Sequence, residues 1–167
     1  VARLLGADAG EIYFTSGATE ANNWAIPAAA GASGYVISSP LEHKSVLEPV
    51  RALGRQGVQT VILRPDDQGI LSPEALAAAI TPATCLVSLL QVNNETGVTQ
   101  DLRALAAICA QRGVALHVDA AVGLAHLELD AADAARHRGG GIHLELVDGR
   151  VQEAARGVVA AHRIPVR

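Results

Sequence analysis

Short apolar segments of strand length alternate with amphipathic segments of helix length along most of this chain, and this alternation limits the folds it can adopt. Residues 84–90 form a typical strand-like run, whereas residues 43–55 repeat apolar side chains every three or four positions. Glycine marks the end of two helical segments, at Gly57 and Gly113. This order predicts an α/β fold of three layers, in which helices flank a mostly parallel sheet.

The predicted elements follow one another regularly up to residue 119. We expect strands over residues 11–15, 35–38, 58–63, 84–90 and 114–118, and helices over residues 18–30, 43–55, 73–80 and 102–112. Pro27 is expected to end or kink the first helix. The pattern fades after residue 119, so we divide the chain into an α/β part, residues 1–133, and a divergent tail, residues 134–167.

Composition and charge exclude several functional classes. Half of the 167 residues are hydrophobic but only 2% are aromatic, so the core must be aliphatic. A formal net charge of −4 argues against a nucleic-acid partner. The apolar runs are too short to span a membrane and no signal peptide is visible, which predicts a cytoplasmic protein without a membrane partner. Cys85 and Cys109 are expected to be small buried hydrophobes, and no metal-ligand spacing is found.

Four polar clusters follow predicted strands. They span residues 15–20, 42–45, 93–97 and 117–120. Since ligands of α/β sheets bind at the carboxyl ends of the strands, these clusters are the candidate site.

The first cluster joins a strand to the start of a helix, where free N–H groups and the helix dipole favour a phosphate group. Ala18 and Thr19 lie in the first turn of that helix, and Ser16 and Thr19 add hydroxyl donors. An ordinary helix cap is the alternative interpretation.

The other clusters supply one candidate side chain each. His43 can stack on a planar ring or move a proton, or it can be a helix-terminal histidine without a role. Asn94 can bond a ring substituent, or it can belong to a polar turn. Asp119 ends a buried strand and needs a partner, for which a protonated pyridine nitrogen and nearby backbone amides are both suitable.

In this order and spacing the clusters resemble the cysteine desulfurases, which are class V pyridoxal-phosphate (PLP) enzymes of the aminotransferase fold, also called fold type I. The resemblance covers residues 1–133 and makes them a fragment of the PLP-binding large domain. It implies that Ala18 and Thr19 bind the PLP phosphate and that His43 stacks on the ring and assists proton transfer. It also implies that Asn94 bonds the phenolic oxygen side of the ring and that Asp119 pairs with the ring nitrogen.

The resemblance also implies a reaction and partners. The family takes sulfur from L-cysteine, leaves alanine, and passes the sulfur from a cysteine persulfide to an acceptor protein for iron–sulfur cluster or thio-cofactor assembly. Its members are usually homodimers. Other class V enzymes, such as a selenocysteine lyase or an aminotransferase, are alternatives, and so is a catalytically silent α/β module.

Several residues of the family pattern have no counterpart in this chain. Val122 stands where the family has a glutamine that bonds the ring oxygen. The Ser-x-His-Lys stretch, whose lysine binds the cofactor covalently, is expected near Glu145 but is not found, and neither Cys85 nor Cys109 matches the persulfide cysteine. Lys44, the only lysine, is adjacent to His43 at a helix start, so the two side chains should point about 100° apart. We therefore expect a truncated and impaired member of the family.

Overall fold

A seven-stranded sheet organises the part of the chain that the computed structural model describes, which comprises residues 9–31, 34–122, 142–146 and 158–161. The strands are β1 (Ile12–Phe14), β2 (Tyr35–Ser38), β3 (Gln59–Ile62), β4 (Thr84–Leu90), β5 (Ala115–Asp119), β6 (Ile142–Leu146) and β7 (Val158–Ala161). The helices are α1 (Ala18–Ala30), α2 (Lys44–Arg55), α3 (Pro73–Ala79) and α4 (Leu102–Arg112).

The sheet is mostly parallel, as the alternating pattern predicts. Its strand order is β1-β7-β6-β5-β4-β2-β3. Neighbouring strands from β6 to β3 pair in parallel, whereas β7 is antiparallel to both β6 and β1. Strands β6 and β7 lie in the tail after residue 133, where the sequence pattern fades, and they join the same sheet.

The helix boundaries follow from local chemistry. The Ser72 hydroxyl accepts a hydrogen bond from the Ala75 N–H at the start of α3, and the Asp101 carboxylate accepts one from the Ala104 N–H at the start of α4. Gly113 ends α4 in the left-handed region, at φ 66°. Helix α1 runs through the exposed Pro27 as far as Ala30, so the proline does not end it.

Two hydrophobic cores cover the two faces of the sheet and create the three predicted layers. One core joins α3 and α4 to the sheet and includes Leu76, Leu105 and Val87. The other joins α1 and α2 to the opposite face and includes Ile26, Val46, Leu86 and, at its edge, Ala115. Odd-numbered β5 residues, Asp119 among them, therefore face α1 and α2, because side chains alternate along a strand. Within the described ranges, no helix is both long enough and apolar enough for a membrane span.

Candidate functional site

The carboxyl ends of the central strands lie side by side, and the loops that follow them meet at one edge of the sheet. Leu90 at the end of β4 pairs with Asp119 at the end of β5, and the Gln91 N–H donates to the Asp119 carbonyl oxygen at 2.9 Å. Strand β1 has the same direction as β6, since two antiparallel pairings separate them. Helix α1 therefore begins at the same edge.

The Asp119 carboxylate is buried at this edge and is held by neutral donors. Asp119 is 2% exposed. Its Oδ2 accepts a hydrogen bond from Asn22 Nδ2 on α1, and its Oδ1 accepts one from the Ala121 N–H, both at 3.1 Å. No lysine or arginine of the described ranges forms an ion pair with it. Its partners thus include a backbone amide, as one sequence interpretation expects, but no cation from this part of the chain.

Hydrogen bonds connect this carboxylate to His43. Asn22 Nδ2 also donates to Ser45 Oγ at 3.0 Å, and Ser45 Oγ lies 2.8 Å from His43 Nδ1. The Ser45 N–H donates to the same ring nitrogen at 3.1 Å, so His43 caps helix α2. The structure therefore brings His43 and Asp119, two of the predicted site residues, into one network through Asn22 and Ser45.

The start of α1 retains the features that favour an anion. Gly17 is the N-cap residue and offers no side chain to the N–H groups of the first turn, where Ala18 and Thr19 lie. The N–H and the hydroxyl of Ser16 donate to Glu20 Oε2 at 2.6 and 2.7 Å. These bonds lower the pKa of the Glu20 carboxyl group, the backbone bond contributing most. The corner thus already stabilises one carboxylate and keeps uncapped helix N–H groups beside it.

Asn94 lies exposed in the loop after β4 and is positioned by its neighbour. The Asn93 side-chain oxygen accepts hydrogen bonds from Glu95 and Thr96, and its Nδ2 donates to the Leu41 carbonyl oxygen at 2.9 Å. Asn93 therefore builds the polar turn that was the alternative interpretation, and it ties this loop to the segment before His43. No hydrogen bond of the described residues joins Asn94 to the Asp119 network.

Glu42 is a buried acid between these two loops. It is 5% exposed, and its Oε1 accepts a hydrogen bond of 2.8 Å from the Leu90 N–H. Its Oε2 is buried without a hydrogen-bond partner in the described structure. Burial raises the pKa of Glu42 well above its ordinary value of 4.5, the charge of Asp119 raises it further, and the Leu90 bond opposes the rise. Glu42 thus connects the loop before His43 to the end of β4, and its raised pKa favours the protonated form more than in an exposed glutamate.

Sequence reasoning missed the roles of Asn22, Ser45 and Glu42. For Asn22 a signal exists, since it is the one amide on the buried face of α1, whose other members are aliphatic: Ala21, Ala25, Ile26 and Ala30. A polar side chain on such a face needs buried partners. Ser45 and Glu42 carry no comparable local signal, because their partners, Asn22 on α1 and Leu90 on β4, are distant in sequence.

The thiols and the lysine are poor candidates for covalent chemistry. Burial raises the pKa of Cys109 to about 12, and it also raises the pKa of Cys85, whose sulfur contacts the carbonyl oxygens of Ala30 and Tyr35. Both thiols are therefore mainly protonated near neutral pH. Cys109 is buried as expected, whereas Cys85 is only half-buried. Lys44 is exposed in the first turn of α2. The described residues include no group of metal-ligating side chains.

Comparison with known proteins assigns the family. The profile of the aminotransferase class-V family matches residues 1–135, which is most of the chain. The chain belongs to this family. The class V resemblance of the sequence motifs is thereby confirmed, and the cofactor that this family uses is PLP.

The relatives of this class V chain include cysteine desulfurases. It is 46% identical over 134 residues to cysteine desulfurase IscS of Serratia proteamaculans and 44% identical to IscS of Escherichia coli O139:H28. In both comparisons the match covers 78% of this chain and 33% of the relative, so the chain spans about a third of the length of these curated relatives.

Solved structures of other proteins share the fold of this chain. The structure of SspA in complex with cysteine superposes with a TM-score of 0.85 at 32% identity, covering 96% of this chain and 46% of SspA. The cysteine desulfurase CsdA from Escherichia coli superposes with a TM-score of 0.83 at 25% identity, covering 96% of this chain and 41% of CsdA. The chain is therefore a class V fragment whose fold is that of part of a cysteine desulfurase.

The residues present fit a phosphorylated pyridine cofactor. Asp119 is a buried carboxylate without a cationic partner among the described residues, and a protonated ring nitrogen is a suitable one. The start of α1 offers N–H groups without a side-chain cap to a phosphate. Both groups lie at the same edge of the sheet, and Asn22 on α1 links that helix directly to Asp119.

Proposed function

We propose that this chain is the PLP-binding part of a cysteine desulfurase and that it binds the cofactor without a covalent bond. The observation that carries the proposal is the Asp119 carboxylate, which is 2% exposed and bonded only to neutral donors in the described structure. A charge at this depth is unfavourable unless a partner compensates it. A protonated pyridine nitrogen supplies that partner, and residues 1–133 are the fragment that would hold it.

Each residue of the site has a separate task in this proposal. Ala18 and Thr19 bind the phosphate through the start of α1, and Asp119 keeps the ring nitrogen protonated. His43 stacks on the ring and assists proton transfer, while Asn94 bonds the phenolic oxygen side. When bound, the protonated ring acts as an electron sink for the substrate. The protein's contribution is to bind and orient that ring.

The chain is impaired for desulfuration by itself. Its only lysine, Lys44, is in the exposed first turn of α2. The raised pKa values of Cys85 and Cys109 disfavour the thiolate that a persulfide carrier requires. These two observations favour a second candidate function, a catalytically silent α/β module that retains a PLP site. Another class V activity, as in a selenocysteine lyase or an aminotransferase, is a further alternative.

The partners in this proposal come from the relatives. We assign L-cysteine as the substrate of the complete enzyme, because cysteine desulfurases and a cysteine complex are among the matches. A sulfur-acceptor protein for iron–sulfur cluster or thio-cofactor assembly, a homodimeric state and a cytoplasmic location complete the proposal.

Calorimetric titration with PLP tests the proposal. We expect the chain to bind PLP and the Asp119→Asn variant to bind it roughly tenfold to a hundredfold more weakly, as follows from the loss of one hydrogen bond to a charged group, about 1.5–3 kcal/mol. Asp67→Asn is the matched control, since it removes the same charge from an exposed position. Equal affinities of wild type and Asp119→Asn would refute the proposed site.

Two further measurements separate the candidate functions. Borohydride reduction with PLP, followed by peptide mass mapping, should find no specific adduct at Lys44, and a stoichiometric adduct there contradicts noncovalent binding. Incubation with PLP and L-cysteine should yield no alanine. Alanine formation would show that this chain is an active enzyme and not a silent module.

A further inference from the structure

Asn22 is wholly buried between two acceptors and its orientation is fixed by one of them. Its Nδ2 donates to Asp119 Oδ2 at 3.1 Å and to Ser45 Oγ at 3.0 Å, which uses both hydrogens of the amide nitrogen. A flipped amide would place the Asn22 oxygen against the carboxylate, where neither atom can donate. The amide oxygen Oδ1 is buried without a hydrogen-bond partner in the described structure, which indicates that the contacts of Nδ2 dominate.

This orientation determines where the Ser45 hydroxyl points. Because Ser45 Oγ accepts from Asn22, its own hydrogen is available for His43 Nδ1, which lies 2.8 Å away. The Ser45 backbone N–H points at the same ring nitrogen from 3.1 Å. Because two donors are directed at Nδ1, this nitrogen must be the unprotonated one that accepts hydrogen bonds.

We propose that Asn22 and Ser45 are positioning residues that hold the neutral His43 ring in the tautomer with its hydrogen on Nε2. Asp119 determines the direction of every hydrogen bond in this series, since an ionised carboxylate can only accept. Asn22 must therefore donate to Asp119 and Ser45, and Ser45 donates to His43. Nε2 is then the ring nitrogen that His43 presents, as a donor, to a bound ligand. The inference deepens the proposed function and depends on it only for the identity of that ligand as PLP.

Nitrogen NMR of the 167-residue chain without PLP tests the tautomer directly. Long-range proton–nitrogen correlation spectra would be recorded at about pH 9, where histidine side chains are normally neutral. A His43→Gln variant assigns the signals. We expect the Nδ1 signal of an unprotonated ring nitrogen and the Nε2 signal of a protonated one. A wild-type spectrum with the hydrogen mainly on Nδ1 would overturn the inference.

Variants of the two positioning residues provide a second test. In Ser45→Ala and Asn22→Leu, the ratio of Nδ1–H to Nε2–H tautomers should rise roughly twofold to tenfold, the effect of one neutral hydrogen bond. Ser45→Thr keeps a hydroxyl and should restore the wild-type ratio. Asn23→Leu is the control, because Asn23 is exposed on the same helix and donates only to the Thr19 carbonyl oxygen. If both variants fold and their tautomer ratios equal that of wild type, the inference is contradicted. If the variants do not fold, the tautomer seen in the wild-type spectrum is the test.

The same samples distinguish this inference from the proposed function. PLP affinity would be measured separately by calorimetry. The expected tautomer together with an absence of PLP uptake refutes the proposed function but supports the role of Asn22 and Ser45. PLP uptake by a protein whose His43 ring carries its hydrogen on Nδ1 refutes the inference but supports the proposed cofactor site.

Discussion

Replacing Glu42 with glutamine tests whether a neutral carboxyl group stabilises the loop before His43. Glu42 is 5% exposed, its Oε1 accepts from the Leu90 N–H at 2.8 Å, and Asp119 places a like charge nearby. Glutamine keeps the shape of the side chain and an acceptor for Leu90 but cannot ionise. A comparison of the two proteins therefore isolates the effect of the charge.

The pKa shift of Glu42 determines the sign of the effect. Burial raises the pKa in the folded protein above the ordinary value of 4.5, so between these two pKa values the folded state binds more protons than the unfolded state. The free energy of unfolding of the wild type must therefore fall as pH rises through this window. One group can contribute a slope of at most about 1.4 kcal/mol per pH unit. The advantage of Glu42→Gln should grow at up to that rate, until Glu42 ionises in the folded protein.

Urea unfolding at a series of pH values from about 4.5 to 8 measures this difference. Glu48→Gln is the matched control, since it removes a carboxylate from an exposed position on the adjacent helix α2, where Glu48 pairs with Arg51. The control should show no comparable growth in stability with pH. If the stabilities of wild type and Glu42→Gln differ by a constant amount across this range, to within about 0.5 kcal/mol, the pKa of Glu42 is not raised by burial in the folded protein.

Three other perturbations follow from the packing. Gly34→Ala should lower the free energy of unfolding by about 1–3 kcal/mol, because the added Cβ would overlap the Cys85 sulfur; urea unfolding that matches wild type would contradict this. Leu116→Ala should cost about 2–5 kcal/mol in the same assay, since Leu116 is 2% exposed in the core, and a loss below about 1 kcal/mol would argue against that packing. Cys109, whose pKa is raised to about 12, should react with a disulfide reagent only after unfolding, and rapid labelling of the folded protein would refute its burial.

The local spacing of hydrophobic residues was sufficient to predict the helices and strands as far as β5. The continuous apolar run of β4 and the amphipathic spacing of α2 identify elements whose bounds agree with the predicted ones to within about one residue. Strands β6 and β7 were not predicted as members of the sheet. Their places depend on backbone pairing with β5 and β1, which are distant in sequence, and a local hydrophobic pattern does not encode such pairing.

The site was only partly predictable for a related reason. Residue type and position near the end of a strand were enough to predict His43 and Asp119 as site residues, because the carboxyl ends of parallel strands lie at the same edge of a sheet. The contacts between them were not predictable, since Asn22 lies 97 residues from Asp119 and 23 from Ser45 along the chain. Helix periodicity places Asn22 on the buried face of α1, but only the packing of that helix against β5 and α2 identifies its partners.

Helix α1 connects the two ends of the proposed cofactor site. Ala18 at its start and Asn22 one turn later lie on the same side of the helix, because residues four apart are neighbours on its surface. The Asn22 amide donates a hydrogen bond to the Asp119 carboxylate. A shift of α1 that weakened phosphate binding at the start of this helix would therefore also disturb the position of that carboxylate. Phosphate binding and ring binding should therefore depend on each other, and this dependence requires no lysine. The proposed noncovalent binding can therefore be selective for the cofactor, since it would depend on the packing of α1 against β5.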